Sequence, residues 1–115
     1  MQLEQRIVGN VAIIKVTGDI TFNSGNTLLK DKVLSLIQQG QKNLLIDLGG
    51  VSYVDSAGLG ELVQAYATTK SRGGALKLLN IRTRLRDLLV MTKLLTVFET
   101  FDSEASAIGS FGVVS

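Results

Sequence analysis

The chain predicts an α/β fold: a mixed four- to five-stranded sheet, opened by an N-terminal antiparallel hairpin and continued as a parallel core, beside about four helices. Three observations carry this. Two strand-like runs, residues 3–8 and 11–17, flank Gly9-Asn10, a pair that tolerates positive φ and fits a two-residue hairpin turn. The run Leu44-Leu45-Ile46-Asp47-Leu48 is almost wholly apolar, as a parallel strand covered on both faces should be. Helical and strand-like periods then alternate to the end of the chain, the pattern of strands joined by crossovers.

Each element has its own signal. Gly18-Asp19 ends the second strand, and Asn23-Ser24-Gly25-Asn26 supplies candidate caps for a helix. That helix carries Leu29, Val33, Leu36 and Ile37 on one side and stops at Gly40. After the strand at 44–48, Leu59, Leu62, Val63, Tyr66, Ala67 and Lys70 recur at helical spacing until Gly73-Gly74. Residues 75–80 read as a strand, and Leu85, Leu88, Leu89 and Thr92 mark a third helix. A short strand at 96–99 follows. Asp102 or Ser103 then caps a last helix containing Ala105 and Ile108. The loops at the carboxyl ends of parallel strands gather along one edge, so residues 21–24 and 52–56 should be neighbours.

Composition narrows the chemistry. At 115 residues, with 45% apolar residues, the chain is one domain, residues 1–115, able to bury a core. It has neither cysteine nor histidine, which removes thiol chemistry, the usual general base and the commonest transition-metal ligand. Its start lacks the apolar core of a signal peptide and no apolar run reaches membrane-spanning length, so a cytoplasmic protein without membrane contact is expected. The net charge of +2 is unevenly spread. Seven basic residues from Lys70 to Lys93 face one acid, Asp87, whereas Glu99, Asp102 and Glu104 follow with no basic residue. No aromatic residue interleaves this band and leucines run through it, so it reads as a solvated face or a surface for an acidic protein, not for nucleic acid.

The functional reading centres on residues 51–61, Val-Ser-Tyr-Val-Asp-Ser-Ala-Gly-Leu-Gly-Glu, which join the apolar strand to the second helix. Ser56 thus falls where a helix begins, among unpaired N–H groups and partial positive charge that suit a phosphate. Beside it, Gly58 and Gly60 would let another protein approach closely. The alternative is plain capping by Asp55 or Ser56.

Catalysis has little support here. A nucleophile elbow needs glycine on both sides of the serine, and Val54 occupies one of those positions. No histidine can activate the hydroxyl. Gly58-Leu59-Gly60 lacks the third glycine of a dinucleotide loop, since Val63 stands there. Asp19, Asp47 and Asp55 could surround a divalent cation only if the fold gathered them, but Asp19 suits a turn and Asp47 lies within a strand. The chain is therefore read as a non-enzyme with no metal and no cofactor.

Asp55-Ser56-Ala57-Gly58-Leu59-Gly60, preceded by Leu48-x-x-Val51-x-Tyr53-Val54, resembles the signature of anti-sigma factor antagonists of the STAS-domain family, and the likeness extends over nearly the whole chain. The resemblance implies a STAS fold with four main strands and four helices, a phosphorylation site at Ser56, and bacterial partner switching. The unphosphorylated form would bind an anti-sigma factor serine/threonine kinase of GHKL type and so release a sigma factor. Phosphorylation would abolish binding, and a PP2C-type phosphatase would restore it. The implied partner surface comprises Thr21, Asn23, Ser24, Asp55, Ser56, Ala57, Gly58, Leu59 and Gly60, with Glu61 and Gln64 on the exposed side of the helix; Arg82, Arg84 and Arg86 read as a solvated helix start. Two positions depart from the family pattern: Ala57 replaces a common hydroxyl residue, and Thr21 stands where an acid is frequent. Other STAS proteins serve as modules of larger assemblies, so the alternative is a scaffold whose partner ignores Ser56.

Overall fold

In the computed structural model, which describes residues 1–21 and 28–112, five strands and four helices alternate after an initial hairpin. The strands are β1 (Gln2–Val8), β2 (Val11–Thr17), β3 (Asn43–Gly50), β4 (Ala75–Leu79) and β5 (Thr100–Phe101). The helices are α1 (Leu28–Gln38), α2 (Ser56–Ser71), α3 (Thr83–Met91) and α4 (Glu104–Ser110). Strand order follows chain order. β1 pairs antiparallel with β2, and every later pairing is parallel. Gly9 at φ +59 makes the expected turn, which sets Val8 opposite Val11.

The central strands are buried on both faces because each face has its own cover. Ala12, Ile14 and Val16 of β2, Leu44, Ile46 and Leu48 of β3, and Leu76 and Leu78 of β4 join a large core. There they meet Leu29, Val33 and Leu36 of α1, Leu62 and Ala65 of α2, and Leu85 and Leu89 of α3. The alternate residues Val11, Ile13, Leu45 and Leu79 form a smaller core closed by Ala107, Ile108 and Phe111. Burying an apolar side chain of this size contributes roughly 1.5–3 kcal/mol. A one-residue slip of β2 or β3 would exchange the two cores.

The strand expected at 96–99 forms instead directly after that span, at Thr100–Phe101. Phe98 is the reason. Its ring is buried in the large core, edge-on to Tyr66 at 5.2 Å, while Val97 and Phe98 both donate backbone N–H bonds to Leu94 O. These turns hold residues 94–98 out of the sheet until Glu99 O accepts from Leu78 N at 2.9 Å. Thr92 proves to be the C-cap of α3, its hydroxyl donating back to Leu88 O at 2.7 Å. Ser103, not Asp102, caps α4 by accepting from Ser106 N. The proposed caps of α1 at 23–26 lie outside the described residues.

The chain leaves β2, β3 and β4 at the same edge of the sheet, so the segments beginning at Gly18, Val51 and Asn80 converge there. Among the described residues, no helix is long and apolar enough to cross a membrane.

Candidate functional site

The start of α2 is bolted to the end of β2 through backbone contacts. Gly18 N donates to Gly50 O at 3.0 Å, Ile20 N to Tyr53 O at 3.0 Å, and Asp55 N to Ile20 O at 3.2 Å. Ile20 and Val54 form an isolated parallel bridge. Thr21 is thereby brought beside Asp55, as the topology predicts, while Asn23 and Ser24 lie outside the described residues. Gly58 completes the junction. A Cβ there would stand 2.6 Å from the carbonyl carbon of Ile20 and 3.0 Å from its Cγ2, so only glycine admits this approach. The close neighbour that Gly58 accommodates is the chain's own β2 segment, not a visiting protein.

Asp55 is the N-cap of α2. Its extended backbone and side-chain position let Oδ1 accept from Gly58 N at 2.7 Å, satisfying one of the unpaired N–H groups at the helix start. Capping is therefore the work of Asp55, and Ser56 is left as the first helical residue. Its side chain is exposed, and its hydroxyl has no hydrogen-bond partner among the described residues. The two readings of this turn thus apply to two different residues.

The exposed positions that follow are Ala57, Gly60 and Gln64, which share a face of α2 with Ser56. Leu59 is buried, as is Leu62, and Val63 and Tyr66 pack partly buried against the core. Glu61 differs from expectation: it is 4% exposed, and neither carboxylate oxygen has a hydrogen-bond partner among the described residues. Burial pushes its carboxyl above the ordinary value of 4.5, against a smaller opposing effect of the Leu29 backbone N–H. The buried stripe of α2 runs through Gly58, Glu61, Leu62, Ala65 and Thr69, and Glu61 sits on it because α1 covers that side of the helix.

Sequence reasoning passed over the neighbouring groove. Tyr53 is 42% exposed, and the Arg84 guanidinium stands over its ring, 5.5 Å from the centroid. Tyr53, Val54, Arg84, Leu88 and Met91 line an open cleft of about 580 Å³ between the β3–α2 turn and α3. Arg84 is thus folded onto an aromatic ring instead of standing free at a helix start. The one available signal was an aromatic residue within a turn of otherwise small and polar neighbours.

The acids that might have held a cation have separate duties. Asp19 accepts from Ser52 Oγ at 3.1 Å, Asp47 from Gly49 N at 3.0 Å and Asn80 Nδ2 at 3.3 Å, and Asp55 caps α2. Among the described residues, no three acids, cysteines or histidines are grouped to hold a metal.

Comparisons with known proteins agree with this geometry. The family described as the STAS domain matches residues 2–107. The anti-sigma-B factor antagonist of Bacillus subtilis is 37% identical over 86 residues, covering 75% of this chain and 77% of the relative. A crystal structure of an anti-sigma factor antagonist from Mycobacterium paratuberculosis superposes with a TM-score of 0.82 at 19% identity, covering 96% of this chain and 92% of that one. The Bacillus cell fate determinant SpoIIAA in its phosphorylated form gives 0.73 at 19% identity, covering 95% and 98%.

Proposed function

Since this chain belongs to the STAS-domain family, we propose that it is an anti-sigma factor antagonist whose docking surface is switched by phosphorylation of Ser56. It acts as a single STAS domain over residues 1–115, in the cytoplasm, and its role is regulatory, not catalytic. The observation that carries the proposal is the division of labour at the helix start. Asp55 does the capping, which leaves the Ser56 hydroxyl exposed and without a partner among the described residues. The kinship with the anti-sigma-B factor antagonist supports the choice of partner class.

The unphosphorylated face is small and nearly uncharged: Ser56, Ala57 and Gly60 present little more than backbone, with Gln64 one turn beyond. A GHKL-type anti-sigma factor kinase can pack closely on it and on the adjoining Thr21, with Asn23 and Ser24 proposed as further contacts, and the sigma factor is released. Phosphorylation adds about −1.5 to −2 charges next to Asp55. Repulsion between the two acids costs on the order of 1–2 kcal/mol at an exposed site. The helix start returns roughly 0.3–1 kcal/mol. These nearly cancel, so the fold should change little. The partner instead faces a dianion that it must desolvate or oppose, at several kcal/mol, which weakens binding by two or more orders of magnitude at about 1.4 kcal/mol per tenfold. A PP2C-type phosphatase resets the surface.

The test is incubation with anti-sigma factor kinases and ATP, read by mass spectrometry. One phosphate on Ser56, absent in Ser56→Ala, supports the reading. A kinase that phosphorylates other residues, or a signalling partner captured equally by the parent, Ser56→Ala and Ser56→Asp proteins, would favour the scaffold alternative.

A further inference from the structure

The sheet ends differently at its two sides. β5 closes one side with two residues, whereas β1 runs for seven and, among the described residues, has β2 as its only strand partner. β1 pairs with β2 without interruption and contains neither proline nor lysine, the usual guards of an open edge. The hairpin sets which of its backbone groups face outward. Val8 and Val11, which close the two-residue turn, are a hydrogen-bonded pair, and such pairs alternate along an antiparallel ladder. Gln2, Glu4, Arg6 and Val8 therefore direct their N–H and C=O groups to β2. Those of Leu3, Gln5 and Ile7 point away from the sheet.

We propose that a second copy of the chain docks on this edge, β1 against β1, joining two five-stranded sheets into one about a twofold axis at Gln5. A twofold contact between strands is antiparallel. Only Leu3, Gln5 and Ile7 have outward groups, so these three must pair among themselves. With Gln5 opposite Gln5 of the second copy, Leu3 meets Ile7 at both ends, giving about six backbone hydrogen bonds. Between those pairs, Glu4 stands opposite Arg6 of the second copy, on each side of the axis. Charge selects this register over its neighbours. A shift of two residues one way sets Glu4 against Glu4, and the other way sets Arg6 against Arg6; like charges directly opposite are destabilising.

The side chains fit the same axis. Ile7 is large and apolar yet 47% exposed, and Leu3 of the second copy would cover it, on the face where Leu3 packs against the large core. Arg6 pairs with Glu104 of α4 on the other face, and its guanidinium has donors left for Glu4 of the second copy. Gln5 accepts from Lys32 at 2.9 Å, which leaves its amide nitrogen to donate across the axis. The twofold reverses strand direction, so the carboxyl ends of the two β2 strands lie at opposite ends of the joined sheet. The dimer consequently carries two Ser56 faces, one at each end.

Sedimentation of the full chain alone tests this, so its failure is distinct from failure of the Ser56 reading. The parent should pass from monomer to dimer between about 10 µM and 1 mM, as suits a small interface. Over that range the Leu3, Gln5 and Ile7 amide protons should come to exchange about fivefold more slowly. Glu4→Arg and Arg6→Glu should each stay monomeric at about 1 mM, since each alone faces like charges on both sides of the axis. Mixed in equal amounts they should dimerise, because each then offers the charge that the other lacks. A parent that is monomeric up to about 1 mM overturns the proposal and leaves the edge to a strand of another protein. A dimer that leaves the three amides unprotected, single variants that dimerise like the parent, or a mixture that stays monomeric also overturns it. The parent measurements decide the matter by themselves should a variant not fold.

Discussion

Replacing Gly58 with alanine should unfold the junction on which the site is built. The new Cβ would lie 2.6 Å from the Ile20 carbonyl carbon and 3.0 Å from Cγ2, against backbone that no side-chain rotation can clear. The Ile20 carbonyl oxygen would be nearer still, so relief requires separating α2 from β2 by more than about 1 Å, given that carbon atoms pack best at about 3.5–4.0 Å. That movement strains the Asp55 N to Ile20 O bond, already 3.2 Å, and the Ile20 N to Tyr53 O bond at 3.0 Å. Overpacking costs about 1–3 kcal/mol. Two weakened backbone bonds cost about 0.5–1.5 kcal/mol each. Alanine's better helix propensity returns about 1 kcal/mol. The net loss centres near 3 kcal/mol. With a urea slope of about 2 kcal/mol per molar, the unfolding midpoint should fall by roughly 1.5 M. Gly60→Ala is the control, because nothing lies within 4 Å of a Cβ at that position. It should gain about 0.5–1 kcal/mol. Urea unfolding followed by circular dichroism distinguishes the two. If Gly58→Ala stays within about 0.5 kcal/mol of the parent, or Gly60→Ala is equally damaging, the close approach to Ile20 is not what fixes the site.

Three further outcomes follow from the same contacts. Asp55→Ala removes the cap on Gly58 N and should lower stability by about 1 kcal/mol, measured as a shift in thermal midpoint. Lys77→Met removes the ion pair with Glu99 at 2.7 Å, two bonds to Ser110 at 3.0 Å and the contact with the Phe111 ring at 4.6 Å. It should cost about 1–3 kcal/mol and speed amide exchange throughout α4, the helix those bonds hold to the sheet. Glu61→Gln addresses the raised carboxyl. Because the folded protein holds this proton more tightly than the unfolded chain, the burial penalty is absent below about 4.5 and grows with pH through the folded value. The variant should therefore gain stability on the parent at neutral pH and lose that advantage in acid, seen in urea midpoints measured across the range.

The features legible in the sequence were those whose signals are local. Gly9-Asn10 sets the hairpin, and the uninterrupted apolar run of β3 announces a strand covered on both faces. The strand-to-helix turn at Ser56 was equally plain, because Asp55 is a good cap and the helical period starts just beyond it. Non-local contacts were hidden. That Gly58 serves Ile20 instead of a visiting protein depends on a β2 segment almost forty residues away in sequence. Glu61 was placed on the exposed side because counting only apolar residues misses a buried stripe that runs through glycine, alanine and threonine. The strand at 96–99 was misplaced since Thr-Val-Phe has high β-propensity, yet the core claimed Phe98. Nothing near Arg84 in sequence announces that its guanidinium covers Tyr53.

The switch itself is tested most directly by calorimetric titration of the anti-sigma factor kinase that phosphorylates this chain, with three ligands: Ser56→Ala, Ser56→Asp and the phosphorylated parent. Ser56→Ala should bind as tightly as the unmodified chain. Ser56→Asp should be weaker, and the phosphorylated chain weaker still, by at least two orders of magnitude or about 3 kcal/mol. Equal affinity across the three would show that charge at the start of α2 does not govern docking.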